Sequence, residues 1–240
     1  MYFLHLPFLA FLSYFISQKL KNQPLGKYFL AGLILKFLAG IALGILYLFH
    51  YQQGDSLYFF EQGAKLSTFI NSEPANYFHF LFHDPRESFY HLREEMIDIT
   101  PRTVFMVKIV SIFAYFCGQN YWLISLYFSF FAFIGLWICA NSLAKILPHQ
   151  NSIFAFAFLF FPSVVFWSSG ILKESLLWFL LGISIHILLV FDWKKVFHWL
   201  ALLVCAFFML KLKYYYLAVL LAVAIPYQIL FFLQKRINFT

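Results

Sequence analysis

Charge is what this sequence has least of. Lysine, arginine, aspartate and glutamate make up only 11% of its 240 residues, whereas 63% are hydrophobic and the mean hydropathy is +0.79. A soluble domain of this length cannot bury so much apolar surface, so lipid must be the solvent for most of it. Cysteine is scarce as well. Cys117, Cys139 and Cys205 are widely spaced, two of them inside apolar runs, and they suggest neither a disulfide framework nor a zinc site. The glycines make no phosphate-cradling loop or dinucleotide fingerprint, and no serine or cysteine nucleophile motif occurs. Strand-like alternation is missing too, which argues against a membrane β-barrel. The opening stretch, MYFLHLPFLAFLSYFIS, lacks a basic leader and a small-x-small cleavage site, with Lys19 and Lys21 behind it. It reads as a retained short span, with a shallow interfacial helix as the alternative.

What the sequence has instead is a series of apolar runs, at 2–17, 28–50, 103–117, 121–144, 152–168, 174–191, 196–212 and 214–234. A span needs about 20 apolar residues. If all eight runs crossed, Lys145, Lys194 and Lys195 would fall outside, against the positive-inside rule. Run 103–117 is short and carries Lys108, as suits a helix lying in the interface. With that run on the outer surface, Lys19, Lys21, Lys27, Lys145, Lys194, Lys195, Lys235 and Arg236 all become cytoplasmic, with Asp192 as the one acid among them. The expected fold is all-α: a polytopic membrane helix bundle of about seven spanning helices, N-terminus outside and C-terminus cytoplasmic. It forms one integral membrane domain over 1–240, with 2–17 as the first span and 121–234 as the remaining ones. Between them lies a long outer loop, 51–120, which holds eight of the ten acids. Helical spacing of Leu57, Phe60 and Ala64, and of Tyr77, Phe78 and Phe82, predicts two or three short amphipathic helices there. Pro74, Pro85 and Pro101 punctuate them. The net charge of +7 follows from this topology and gives no reason to invoke nucleic acid.

Few ionisable residues remain that could carry chemistry. Asp55, beside Gly54 at the outer end of a span, can take a proton from a substrate hydroxyl or help hold a cation; equally, it can cap the helix that follows. Lys173 and Glu174 interrupt the apolar runs in FFPSVVFWSSGILKESLLWFLL, as a functional pair or as a hydrated turn capped by Ser168 or Ser169. Lys211 and Lys213, followed by Tyr214 and two further tyrosines, suit a lipid-linked phosphate at the interface. The same pattern also describes snorkelling lysines in an aromatic belt. His79 and His83, four apart beside Asp84, share a helix face as metal ligands do, but no third ligand is specified. Lys36, within run 28–50, reads as a lysine snorkelling towards the cytoplasm or as a functional charge.

Taken in order, these pieces resemble the membrane glycosyltransferases of the GT-C superfamily, which use polyprenyl-phosphate-linked sugars. The resemblance lies in GDSLYFFEQGAKL just beyond an early span, then in PRTVFMVKIVSIFAYFCGQN closing the outer loop. It continues in PSVVFWSSGILKESLLWFLL and LKLKYYYLAVLLAVAIP, and covers roughly 28–234. It implies an inverting transferase that moves a sugar from a lipid-linked donor to an acceptor at the outer face of a bacterial cytoplasmic membrane. Asp55 would be general base or acceptor-orienting carboxylate and Glu174 a second acid assisting a metal or the acceptor. Lys211 and Lys213 would hold the donor phosphate. A divalent metal is compatible with this set but not specified by it. Members of the superfamily commonly continue into further spans and a soluble outer domain, whereas this sequence ends at Thr240. That departure implies a conserved core, a truncated product or a subunit needing a partner membrane subunit. Two other classes fit the same composition: a non-catalytic membrane component of an envelope polysaccharide pathway, and a polymerase of the same kind of pathway. A transporter ranks behind them, since only Lys36 approaches a mid-membrane charge.

Overall fold

The computed structural model describes residues 4–83, 100–192 and 194–237. Among them every regular element is helical. Helix α1 spans His5–Leu20 and α2 Phe29–Ile45, the latter continuing through a π turn to Tyr51. Helices α3 (Asp55–Ser72), α4 (Pro74–Phe82) and α5 (Pro101–Phe116) follow, then the long α6 (Tyr121–Ile146). A short α7 (Asn151–Ala155) runs through a second π turn to Phe160, and α8 (Pro162–Trp167) is shorter than two turns. Helices α9 (Lys173–Leu189) and α10 (Val196–Ile237) complete the chain. Acids of the loop such as Asp84, Glu94 and Asp98 lie outside the described residues.

Among the described residues three stretches are long and apolar enough to cross a membrane: Gly26–Tyr51, Tyr121–Ile146 and Val196–Phe231. The sequence reading asked for seven spans. The third stretch is not one rod, however. Lys213 leaves the helical region at φ −154° and ψ 97°, dividing α10 into limbs 196–212 and 214–237. Trp199 on the first limb and Ile229 on the second line the same cavity. On a continuous helix those residues would stand about 45 Å apart at ~1.5 Å per residue. The limbs therefore fold back on one another at Lys213, where the sequence placed a turn.

The core is built around α6, which packs most extensively on α9 and α2. Its closest approach to α9 is at Gly135 and Gly182, where a methyl group on either would run into the other helix's backbone. A second layer, α3 against α5, covers one end of the bundle. Run 103–117 was expected to rest on the surface with one face down. Instead α5 buries Thr103, Met106, Val107, Lys108, Val110 and Ser111, among others, over more than half its circumference. It is held between α3 and the first limb of α10, with Phe105 against Phe208 at 5.6 Å.

Lys36 does not snorkel. It is 1% exposed and donates to the Val165 carbonyl at 3.1 Å and to the Ser168 hydroxyl. Around it the segment 168–172 sinks between α2 and α6. Ser169 reaches the Lys36 carbonyl at 3.4 Å, Gly170 donates its N–H to Ser129 Oγ at 2.9 Å, and Ser175 caps the Gly170 carbonyl at 2.8 Å. A turn dissolved in lipid needs such internal partners for its backbone. The serines and the Lys36 ammonium supply them.

Candidate functional site

Four helix starts meet at the end of the bundle covered by α3 and α5. Asp55 opens α3, Arg102 and Thr103 lie in the first turn of α5, Lys173 and Glu174 open α9, and Tyr214 begins the second limb of α10. The contacts that join them are specific. Lys213 and Glu174 form an ion pair between half-buried side chains. Lys173 reaches Thr103 Oγ1 at 3.5 Å and sits 4.9 Å from the centre of the Phe59 ring. Arg102 lies over the Tyr214 ring at 4.6 Å. The phenol of Tyr47, on the π turn that ends α2, is within electrostatic reach of both Asp55 and Glu174. Tyr216 is likewise close to Glu174 and Lys213. Residues 47, 55, 174 and 213 thus share one neighbourhood although they come from four different helices.

Asp55 is not the helix cap that its local pattern offers. The N-cap of α3 is Gly54, at φ 116° and ψ 179°, and Asp55 occupies the first helical position without capping any N–H. Its carboxylate is exposed and has no hydrogen-bond or ion-pair partner among the described residues. The next residue, Ser56, is buried and bonded to the Tyr121 hydroxyl at 2.8 Å, which ties the start of α3 to the start of α6. Tyr47 and Tyr121 were not singled out in the sequence. Their only signal is a tyrosine near the end of one apolar run and another at the start of a later one, which an ordinary aromatic belt would also produce.

The remaining candidates fall outside this cluster. Lys211 is exposed and turns back 5.9 Å over Phe207, with no bond to the Glu174–Lys213 pair. His79 and His83 stack face to face at 3.9 Å, and no group of three or more metal-ligating residues occurs among the described ones. Cys117 is buried, and burial pushes its thiol up to about 11, so it offers no thiolate nucleophile at neutral pH.

Chemically, the cluster combines one unpaired carboxylate with a second carboxylate held by an ammonium, and adds further cations in Lys173 and Arg102. Helix N-termini carry partial positive charge, and gathering several at one place favours an anion among them. Such a site can accept a proton at Asp55 and hold a negatively charged group near Lys213. No protein-family model, curated protein or solved structure matches this chain.

Proposed function

We propose that this protein is a membrane glycosyltransferase of the GT-C kind, moving a sugar from a polyprenyl-phosphate donor to an acceptor hydroxyl. The observation that carries the reading is the shared neighbourhood of Asp55, Glu174 and Lys213, one acid free and one paired, at a single end of an apolar bundle. Asp55 takes the proton of the acceptor hydroxyl as its oxygen attacks the anomeric carbon. The bond from that carbon to the phosphate oxygen breaks with inversion. Lys213, exchanging Glu174 for the leaving phosphate, stabilises the charge that develops there, and Lys173 adds to it. Glu174, released from Lys213, then orients the acceptor; were a divalent metal bound, it would be the residue to help hold it. Arg102 and Tyr214 form the wall beside the phosphate.

In this reading the chain crosses a bacterial cytoplasmic membrane seven times, with the cluster at the outer face, the N-terminus outside and the C-terminus inside. The crossing segments are α1, α2, α6, the α7–α8 pair, α9 and the two limbs of α10. What supports this is the alternation of helix directions imposed by the contacts. Leu25 bonds Asn141 at 3.3 Å near one end of α2 and α6, while Gly44 abuts Tyr121 and Trp122 near the other.

The test is transfer from radiolabelled polyprenyl-phosphate sugars in membranes containing wild type or Asp55→Asn. Loss of a general base typically costs about 10²–10⁴-fold in rate, so transfer should fall by at least that much in a variant that keeps its thermal stability. Wild-type membranes that transfer no label from any of several donors would assign the protein to the non-catalytic components of such pathways.

A further inference from the structure

The fold-back of α10 leaves a cavity of about 760 Å³ between its two limbs and α9. Leu203, Ala206, Leu220 and Ala224 line it, with Phe191 and Trp199 at the end remote from Lys213. Only two of its lining residues are polar, and both are already satisfied. Ser184 donates to the Leu180 carbonyl at 2.8 Å, and the Gln228 amide donates to the Leu188 carbonyl at 2.6 Å. Water in such a space would find no partners, so its natural filling is hydrocarbon.

The remote rim is different in character. Phe191 packs on His198 at 5.9 Å and on Trp199 at 5.0 Å, so the aromatic end of the groove abuts the loop that carries Lys194 and Lys195. His198 accepts the Asp192 N–H at Nδ1, 3.1 Å away, which leaves Nε2 as the hydrogen-bearing nitrogen of the neutral ring. Lys194 is exposed and has no ion-pair partner among the described residues. Lys195 meets Asp192 at 3.9 Å, but both side chains are largely exposed, so that bridge is weak. An apolar slot with cationic donors at one mouth is the negative image of a lipid with an anionic head.

We propose that this groove holds one chain of an anionic phospholipid, with its phosphate at Lys194, Lys195 and the Nε2–H of His198. The occupant explains how the second limb attaches to the bundle. Leu221, Ile225 and Ile229 on that limb line the groove yet stay exposed, and beyond the Lys213–Glu174 pair at its start the Gln228 bond ties it to α9. A chain filling the groove would join the limb to the bundle along its length. The rim lies about 25 Å from the Glu174–Lys213 pair, the length of a 17-residue helix such as α9 at ~1.5 Å per residue. The site is therefore separate from the proposed sugar-transfer centre and stands without it.

The test uses full-length protein, purified in neutral detergent and stripped of lipid. Dioleoyl phosphatidylglycerol and dioleoyl phosphatidylcholine are titrated against it by native mass spectrometry, with thermal unfolding read in parallel. We expect one phosphatidylglycerol per chain, bound about tenfold more tightly than phosphatidylcholine and raising the unfolding temperature. Lys194→Gln with Lys195→Gln changes only exposed loop side chains, and should abolish that preference while leaving phosphatidylcholine binding as it was. Ala206→Phe, which fills the slot, should lower binding of both lipids at least tenfold. Equal affinity for the two lipids overturns the proposal, as does a preference that survives the double substitution. So does a groove whose binding Ala206→Phe leaves unchanged, or a polyprenyl phosphate that displaces phosphatidylglycerol in a manner dependent on Lys213. Protein dimerisation that Ala206→Phe abolishes would give the groove to a second copy and overturn it equally.

Discussion

Gly54 stands where only glycine is comfortable, at φ 116° and ψ 179°, and the ring of Tyr47 occupies the space in which a side chain would sit, 2.8 Å from a Cβ. The two residues set the direction in which α2 hands over to Asp55. Gly54→Ala would add backbone strain of about 1–3 kcal/mol and push the Tyr47 ring aside. The expected result is a lower unfolding temperature in detergent, together with a loss of the proposed sugar transfer. Tyr47→Ala made in the Gly54→Ala background should recover stability by opening that space, and a double variant no more stable than the single one would refute the contact. Asp55 was legible in the sequence as an acid after a span, and its neighbour Gly54 came with it. Its role as a helix cap was also legible, and was wrong, because the glycine's unusual backbone shifts the cap one residue back. Lys36 was misread for a related reason. Hydropathy records that a lysine lies inside an apolar run but not the carbonyl and hydroxyl waiting for it across the bundle, on a segment some 130 residues away in sequence.

Helix α9 touches α6 where Gly135 and Gly182 face each other, with so little room that a Cβ on Gly182 would overlap the Gly135 carbonyl. Small residues at a crossing let two helices approach closely, which in lipid is a main source of helix association. Gly182→Ala should therefore force the pair apart at a cost of about 3 kcal/mol, the upper end of overpacking penalties. The displacement would move Lys173 and Glu174 along with the helix that begins with them. Thermal unfolding should show the loss, and Ile183→Ala, one residue along on the same helix, should show a smaller one. If the two variants unfold alike, the glycine crossing is not what fixes α9. At this scale the apolar runs located most of the helices, and the turn at LKLK predicted the break at Lys213. The sunken segment 168–172 was not foreseen. Its serines are indistinguishable by composition from those of a hydrated turn, and only their partners on α2 and α6 show that the turn is buried. Helix α5 escaped for a similar reason: its apolar residues surround it, and periodicity cannot say which of several neighbours an all-round apolar helix will meet.

At the scale of the molecule, charge separates along the bundle. Lys19, Lys145 and Lys194 lie near the turns α1–α2, α6–α7 and α9–α10, whereas Asp55, Glu61 and Glu174 belong to the end formed by α3, α5 and the start of α9. A positive-inside arrangement places the first set in the cytoplasm and the second outside. The three native cysteines are buried, so a single introduced cysteine reports its own side. Lys19→Cys, Glu61→Cys, Lys145→Cys and Lys194→Cys, each at an exposed position, can be treated with a membrane-impermeant maleimide in intact cells and again after permeabilisation. Glu61→Cys should label in both conditions, and the three lysine positions only in the second. Labelling of Lys194→Cys but not Lys145→Cys in intact cells would mean that only one of the two segments between them, the α7–α8 pair or α9, crosses. The seven-segment arrangement would then fail between Lys145 and Lys194, and Lys194 and Lys195 would face the outer leaflet. Reversal of all four would keep the bundle intact and turn it over. The Asp55 cluster would then face the cytoplasm, where polyprenyl-linked donors would have to be presented from the other leaflet. Charge alone decides between these orientations, because the helix contacts are the same in each.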